Sequence, residues 1–187
     1  LAVFRINEEN RSQNDVDGPS PCPYTTGAAP GTYCSIAAGK SRSEGFELEL
    51  SGELIKGLQA FAGYTYNSTT MVRDRSTQGQ PLSSRTPRHL LRMAADYRLP
   101  GELGRWSVGG GVNVQSRTYN TGSGRVVMQG GYAVADLHAQ YRITPSTTVS
   151  MNVSNLFDRT YFRAIATGAG NFYGEPRKVS VTLRSTF

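Results

Sequence analysis

The chain has 187 residues, a mean hydropathy of −0.41 and 37% hydrophobic residues, without the run of about 18 apolar residues that a membrane helix needs. A net charge of +6 leaves nucleic acid, anionic headgroups or an anionic ligand open as partners, but the arginines are scattered rather than clustered, which speaks against nucleic acid. A membrane β-barrel is compatible with these numbers, because alternation of apolar and polar residues dilutes its hydrophobicity.

Residues 1–7 alternate apolar and polar as a strand does, and because Leu1 opens in mid-pattern a piece of a longer chain is expected. Residues 8–41 are rich in Asn, Asp, Gly, Pro, Ser and Thr without periodicity and are predicted as one long loop. Cys22 and Cys34 are the only cysteines. Inside one polar loop with no histidine cluster beside them, they read as a disulfide rather than a metal site, which implies an oxidising compartment.

The next stretch, RSEGFELELSGE over 42–53, sets Phe46, Leu48 and Leu50 against Glu47 and Glu49. Two carboxylates invite an acid/base reading, but on a strand they are expected as lumen charges paired with arginines of neighbouring strands. Residues 57–70 alternate Leu58, Ala60, Ala62, Tyr64 and Tyr66 with a polar set that only Phe61 interrupts, and 71–87 are predicted as loop. Residues 88–99 follow the same rule, with His89, Leu91, Met93, Ala95 and Tyr97 on one face and Arg88, Arg92, Asp96 and Arg98 on the other. Those arginines must face water or counter-charges, since each would cost about 2–4 kcal/mol at mid-depth in lipid.

After a compact turn at 100–104, Trp106, Val108, Gly110, Val112 and Val114 form another apolar set. Gly109-Gly110-Gly111 lies inside this strand with no helix after it, so a bend or a close backbone approach is expected rather than a phosphate-cradling loop. A glycine-rich loop is predicted over 120–130, then a strand with Ala133, Ala135, Leu137, Ala139 and Tyr141 opposite Asp136, His138, Gln140 and Arg142. Asp136 and His138 share a face, which with a loop serine would suit a hydrolase, but no nucleophile motif such as G-x-S-x-G accompanies them. Strands are predicted again over 146–156 and 177–187. In the last, RKVSVTLRSTF, Val179, Val181 and Leu183 alternate with Lys178, Ser180, Thr182 and Arg184 and the run stops on Phe187.

The predicted links alternate: 8–41, 71–87, 120–130 and 157–176 are long, whereas 53–56, 100–104 and 144–146 are short. This asymmetry is that of an up-and-down outer-membrane barrel, with short periplasmic turns and long extracellular loops.

The run NLFDRTYF at 155–162, a glycine-rich loop, and FYGEPRKVSVTLRSTF at 172–187 closely resemble the end of TonB-dependent siderophore receptors, in particular those for hydroxamate-type and pyoverdine-type ferric siderophores. EGFELELSGEL, LQAFAGYTYNST and TPRHLLRMAADYRL resemble strands of that family too. The resemblance implies an all-β, antiparallel up-and-down transmembrane barrel of about 22 strands with a plugged lumen. This chain would provide about eight C-terminal strands, with the plug domain and TonB box absent.

The function implied is TonB-dependent uptake of ferric siderophores across the outer membrane of a Gram-negative cell, not enzymatic catalysis. Implied partners are a ferric siderophore, the TonB complex through the N-terminal region, outer-membrane lipid and the barrel-assembly machinery. That machinery would read the terminal strand through Val179, Val181, Leu183 and Phe187. No cofactor or metal site is expected, because iron would travel as the ferric siderophore. Tyr119, Tyr161, Phe162, Arg163, Phe172 and Tyr173, near the long loops, are the ligand candidates, since aromatics with arginine suit a bulky anionic chelate. Asn155, Asp158, Gly174, Glu175 and Pro176 are expected to fix the last hairpin instead. Two other readings remain, a small closed eight-stranded barrel with a structural or adhesion role and an outer-membrane hydrolase using His138 and Asp136.

Overall fold

The computed structural model describes residues 1–187 other than 28, 75, 76, 83, 123, 124 and 169. The strands are β1 (Ala2–Asn14), β2 (Ser35–Ile55), β3 (Leu58–Arg73), β4 (His89–Arg98), β5 (Trp106–Gln115), β6 (Thr118–Gly122), β7 (Arg125–Gln129), β8 (Tyr132–Arg142), β9 (Thr147–Ser154), β10 (Phe162–Ala164), β11 (Phe172–Tyr173) and β12 (Lys178–Ser185). Eight of them form one sheet in the order β1-β2-β3-β4-β5-β8-β9-β12, a meander with each strand beside its sequence neighbour in the sheet. The order ends on β1 and β12, with no pairing between them among the described residues. A small closed eight-stranded barrel therefore has no support here. The remaining strands are two hairpins, β6–β7 and β10–β11, inside the third and fourth long connections.

The chain divides into two compact units. The larger comprises residues 1–2, 46–66 and 84–187. Its antiparallel registers put the predicted apolar residues side by side: Ala62 faces Met93, Met93 faces Val112 and Val112 faces Ala135. Leu137 faces Val153 and Val153 faces Val179, so the rows continue to the last strand. The polar residues form the opposite face, as in the row Asp96, Gly109, His138, Asn152 and Ser180. A sheet in water hides one such face under a second layer. Here no described side chain is fully buried, and Val181 and Leu183 are 68% and 67% exposed. An uncovered apolar face and satisfied ladder hydrogen bonds are what a lipid-facing sheet requires.

Aromatic side chains mark both ends of that face. Phe46, Tyr64, Tyr66 and His89 cluster at one end, with Tyr66 and His89 ring centroids 5.1 Å apart and the Tyr64 hydroxyl 2.7 Å from His89 Nδ1. At the other, beside the short turns, Trp106 lies 4.7 Å from Tyr141. Such rings suit the two membrane–water interfaces.

The smaller unit comprises residues 3–45 and 67–83. It corrects the expectation of a loop over 8–41, because β1 runs on to Asn14 and β2 starts at Ser35. Cross-strand polar pairs hold this extension: Arg5 Nε lies 2.5 Å from Glu44, Lys40 Nζ 2.5 Å from Glu9, Arg42 Nε donates to Asn7, and Ser41 Oγ donates to Glu8. With charged and hydroxyl residues on both faces, these strands have no hydrophobic period to read. The loop proper, 15–34, contains the Cys22–Cys34 disulfide, and Asp15 N and Cys22 N donate to Cys34 O and Thr32 O. Glu44, not Glu47 or Glu49, takes the arginines, and among the described residues neither Glu47 nor Glu49 is ion-paired.

Glu8 and Glu9 belong to the polar part of the hairpin ahead of Phe46. Hydrogen bonds from Arg11 and then Ser41 hold the Glu8 carboxyl below its usual value, and Lys40 does the same for Glu9. A carboxyl with a depressed folded-state pKa contributes stability that is present above its unfolded value near 4.5 and is lost as pH falls through the folded value. Protease cleavage in 15–34 should therefore be constant from pH 7 to 5 and accelerate only below about 4.5, under an acid-active protease. Acceleration already between pH 7 and 5 would contradict this assignment.

Candidate functional site

Within the larger unit, the polar face carries a cleft of about 380 Å³ where β4, β5 and β8 approach the long connections. The sheet supplies Arg92, Asn113, Gln115, Tyr132 and Asp136, and the connection after β9 supplies Asn155, Tyr161, Arg163 and Glu175. Arg92 pairs in register with Asn113, and Gln115 with Tyr132, so strand alternation alone points them to one side.

The connection is anchored by Asn155, which is 3% exposed and sits at φ 49°, a left-handed conformation that asparagine tolerates. Its backbone N donates to Asp136 Oδ1 at 2.8 Å. Its Nδ2 donates to Arg159 O at 2.9 Å and Glu175 O at 3.0 Å, while its Oδ1 accepts from Arg159 N at 2.8 Å. Asp158 repeats the device by accepting from Arg177 N at 2.9 Å. One asparagine thus ties the end of β9, the NLFD turn and the strand entering β12.

Tyr161 is fixed from two sides. Its ring stacks on Tyr132 at 4.4 Å and lies flat on Gly174, where a Cβ would meet the Tyr161 ring at 2.0 Å. Only glycine leaves room for that contact. Arg163, two residues on, shares the cleft-facing side of β10 with Tyr161, whereas Phe162 turns away and packs on Tyr173 at 4.6 Å.

Among the described residues, neither Arg92 nor Arg163 is ion-paired, and the Asp136 carboxylate is occupied by the Asn155 backbone. Two guanidiniums and two tyrosines, with the amides of Asn113 and Gln115, suit a planar or chelated anion, in a cleft that the Asp136 and Glu175 carboxylates also line.

The family model described as TonB dependent receptor-like, beta-barrel matches residues 1–156. The chain belongs to the TonB-dependent receptor β-barrel family. Its sheet accordingly lies in the outer membrane of a Gram-negative cell. The receptor chain is 45% identical over 159 residues to the ferric-pyoverdine M114 receptor PbuA of Pseudomonas sp. strain M114, covering 82% of this chain and 19% of that protein. It is 36% identical over 193 residues to the ferripyoverdine receptor of Pseudomonas aeruginosa, covering 100% of this chain and 22% of the other. A solved structure of P. aeruginosa FpvA bound to heterologous pyoverdines superposes with a TM-score of 0.83 at 33% identity, over 98% of this chain and 24% of FpvA. The receptor chain thus spans about a fifth of the length of these curated relatives.

Of the six ligand candidates, the structure brings Tyr161 and Arg163 into the cleft. Tyr119 lies in β6 opposite Met128, and Phe162, Phe172 and Tyr173 belong to the β10–β11 hairpin away from the cleft lining. Arg92, Asn113, Gln115 and Tyr132 were absent from that set. Their membership of the polar face at strand ends next to long links was a signal that could have found them. His138 and Asp136 do not form a dyad, because His138 Nε2 lies 2.5 Å from Asp96 Oδ1 across Gly109. A Cβ on Gly109 would meet Ala95 O, Asp96 Oδ1 and His138 at 2.6 Å, so the glycine gives this pair its space and the close backbone approach is realised.

Proposed function

We propose that this chain supplies part of the barrel of an outer-membrane receptor that takes up a ferric siderophore of the pyoverdine type, driven by TonB through regions outside this chain. The observation that carries the reading is the polar-face cleft, in which Arg92 and Arg163 stand open beside the Tyr132–Tyr161 stack. The 45% and 36% identity to ferric-pyoverdine receptors supports the choice of chelate. The iron is cargo in this reading. Its charge and ligands are met by the chelator, so no protein metal ligands are needed, and the wall contributes guanidiniums and rings.

The same reading gives β12 a role in biogenesis. Its Val179, Val181 and Leu183, with Phe187 beyond, form an exposed apolar row ending in an aromatic, as a segment recognised by the barrel-assembly machinery would.

The test is iron-limited growth of a receptor-deficient strain carrying the complete receptor, offered ferric pyoverdines, ferric catecholates and ferric hydroxamates in turn. Growth restored by at least one ferric pyoverdine is expected. Growth restored only by another class would move the substrate assignment, and growth with none would remove the transport reading.

A further inference from the structure

Two long connections meet through buried polar contacts that the cleft itself does not use. Thr118, Gln129 and Ile165 are 5%, 8% and 7% exposed, among the lowest values in the chain. Thr118 and Gln129 are register partners in the β6–β7 hairpin, and Asn120 lies on the same hairpin face. From this face Gln129 Oε1 accepts from Phe162 N at 2.8 Å, while Asn120 Nδ2 donates to Ile165 O at 3.2 Å. Gln129 Nε2 is held in turn by Gly130 O at 2.8 Å, which sets the orientation of the amide.

Phe162 is the residue between Tyr161 and Arg163. Fixing its N–H fixes the backbone of the short strand β10, which has three residues and one partner strand and little rigidity of its own. Because side chains alternate along a strand, holding the central N–H presents the two flanking side chains to the cleft together.

We propose that Gln129 is a positioning residue: it locks the β6–β7 hairpin to β10, so that Tyr161 and Arg163 wall the cleft as one unit with the sheet. The inference rests on the siderophore-binding reading, and it places a determinant of affinity on a hairpin of which no described residue lines the cleft. Gln129→Ala leaves Phe162 N unsatisfied, whereas Gln129→Glu keeps an acceptor for Phe162 N and loses only the donor to Gly130 O, so its carboxylate must turn slightly away from that carbonyl.

The test uses the complete receptor in outer membranes, with folded protein selected by its heat-modifiable mobility. Without ligand, Gln129→Ala should raise trypsin cleavage at Arg163 about tenfold, and with ferric pyoverdine as probe it should speed dissociation about tenfold, while Gln129→Glu stays within about threefold of wild type in both. In a Tyr161→Ala, Arg163→Ala background, Gln129→Ala should change dissociation by less than about twofold, because the side chains it positions are gone. Unchanged cleavage in Gln129→Ala, or a full additional tenfold loss in that background, would overturn the proposal. If the wild-type receptor binds no ferric pyoverdine, the functional reading fails, and the cleavage arm still decides whether Gln129 locks β10.

Discussion

Ala95→Arg should prevent stable assembly in the outer membrane, whereas Ala94→Arg, one residue earlier, should leave assembly close to wild type. Both alanines are exposed and both lie in the middle of β4, so burial does not distinguish them. Register does. Ala95 sits in the row of Ala60, Gly110 and Leu137, and Ala94 in the row of Phe61, Gly111 and Asp136. An arginine on the lipid face near mid-depth costs about 2–4 kcal/mol, and the same side chain on the polar face meets water and charge. Urea unfolding of the receptor in detergent or lipid vesicles reads the difference. Equal stability of the two variants would mean that the apolar rows do not face lipid.

Asn155→Ala is expected to be the most damaging single truncation in the connection after β9. It removes three side-chain hydrogen bonds at a site that is 3% exposed, leaves Arg159 N without its acceptor, and puts alanine at φ 49°. Each buried group left unsatisfied costs about 1–3 kcal/mol and the left-handed conformation adds about 1–2, so a loss of at least about 3 kcal/mol of local stability is expected. Asn155→Gly should recover only the conformational part. Asn155→Asp, which keeps the acceptor for Arg159 N but loses both donors, should fall between. Hydrogen exchange at Arg159 N and Asp158 N, compared across the three variants, checks the order. An alanine variant with wild-type protection would show that the turn is held elsewhere.

The faces of the sheet were legible in the sequence because lipid and lumen impose opposite chemistry on adjacent residues, and period-two alternation survives, with few interruptions such as Phe61, in β3, β4, β5, β8, β9 and β12. The strand ends at 8–14 and 35–41 were not legible, because Glu8, Glu9, Lys40 and Ser41 pair polar residue with polar residue on both faces. The hairpins β6–β7 and β10–β11 escaped for a related reason: the side that β6–β7 buries carries the polar Thr118 and Gln129 while Val126, Met128, Phe172 and Tyr173 are exposed, so burial does not follow hydrophobicity there. In the cleft, sequence reasoning reached Tyr161 and Arg163 through the aromatic and basic character of one loop. Arg92, Asn113 and Tyr132 come from three other strands, and only the register brings them to the same opening. The role of Asn155 as a fixed point was readable in the NLFD run, whereas the pairing of His138 with Asp96 instead of Asp136 depended on a strand 42 residues away.

The most direct measurement is uptake of radiolabelled iron as ferric pyoverdine by cells carrying the complete receptor, wild type against the Arg92→Ala, Arg163→Ala double variant. With equal amounts of assembled receptor at the cell surface, the double variant should show half-saturation at about tenfold or higher chelate concentration, since both guanidiniums open into the cleft without an ion-pair partner among the described residues. Half-saturation unchanged from wild type would contradict the assignment of this cleft as the place where the chelate binds.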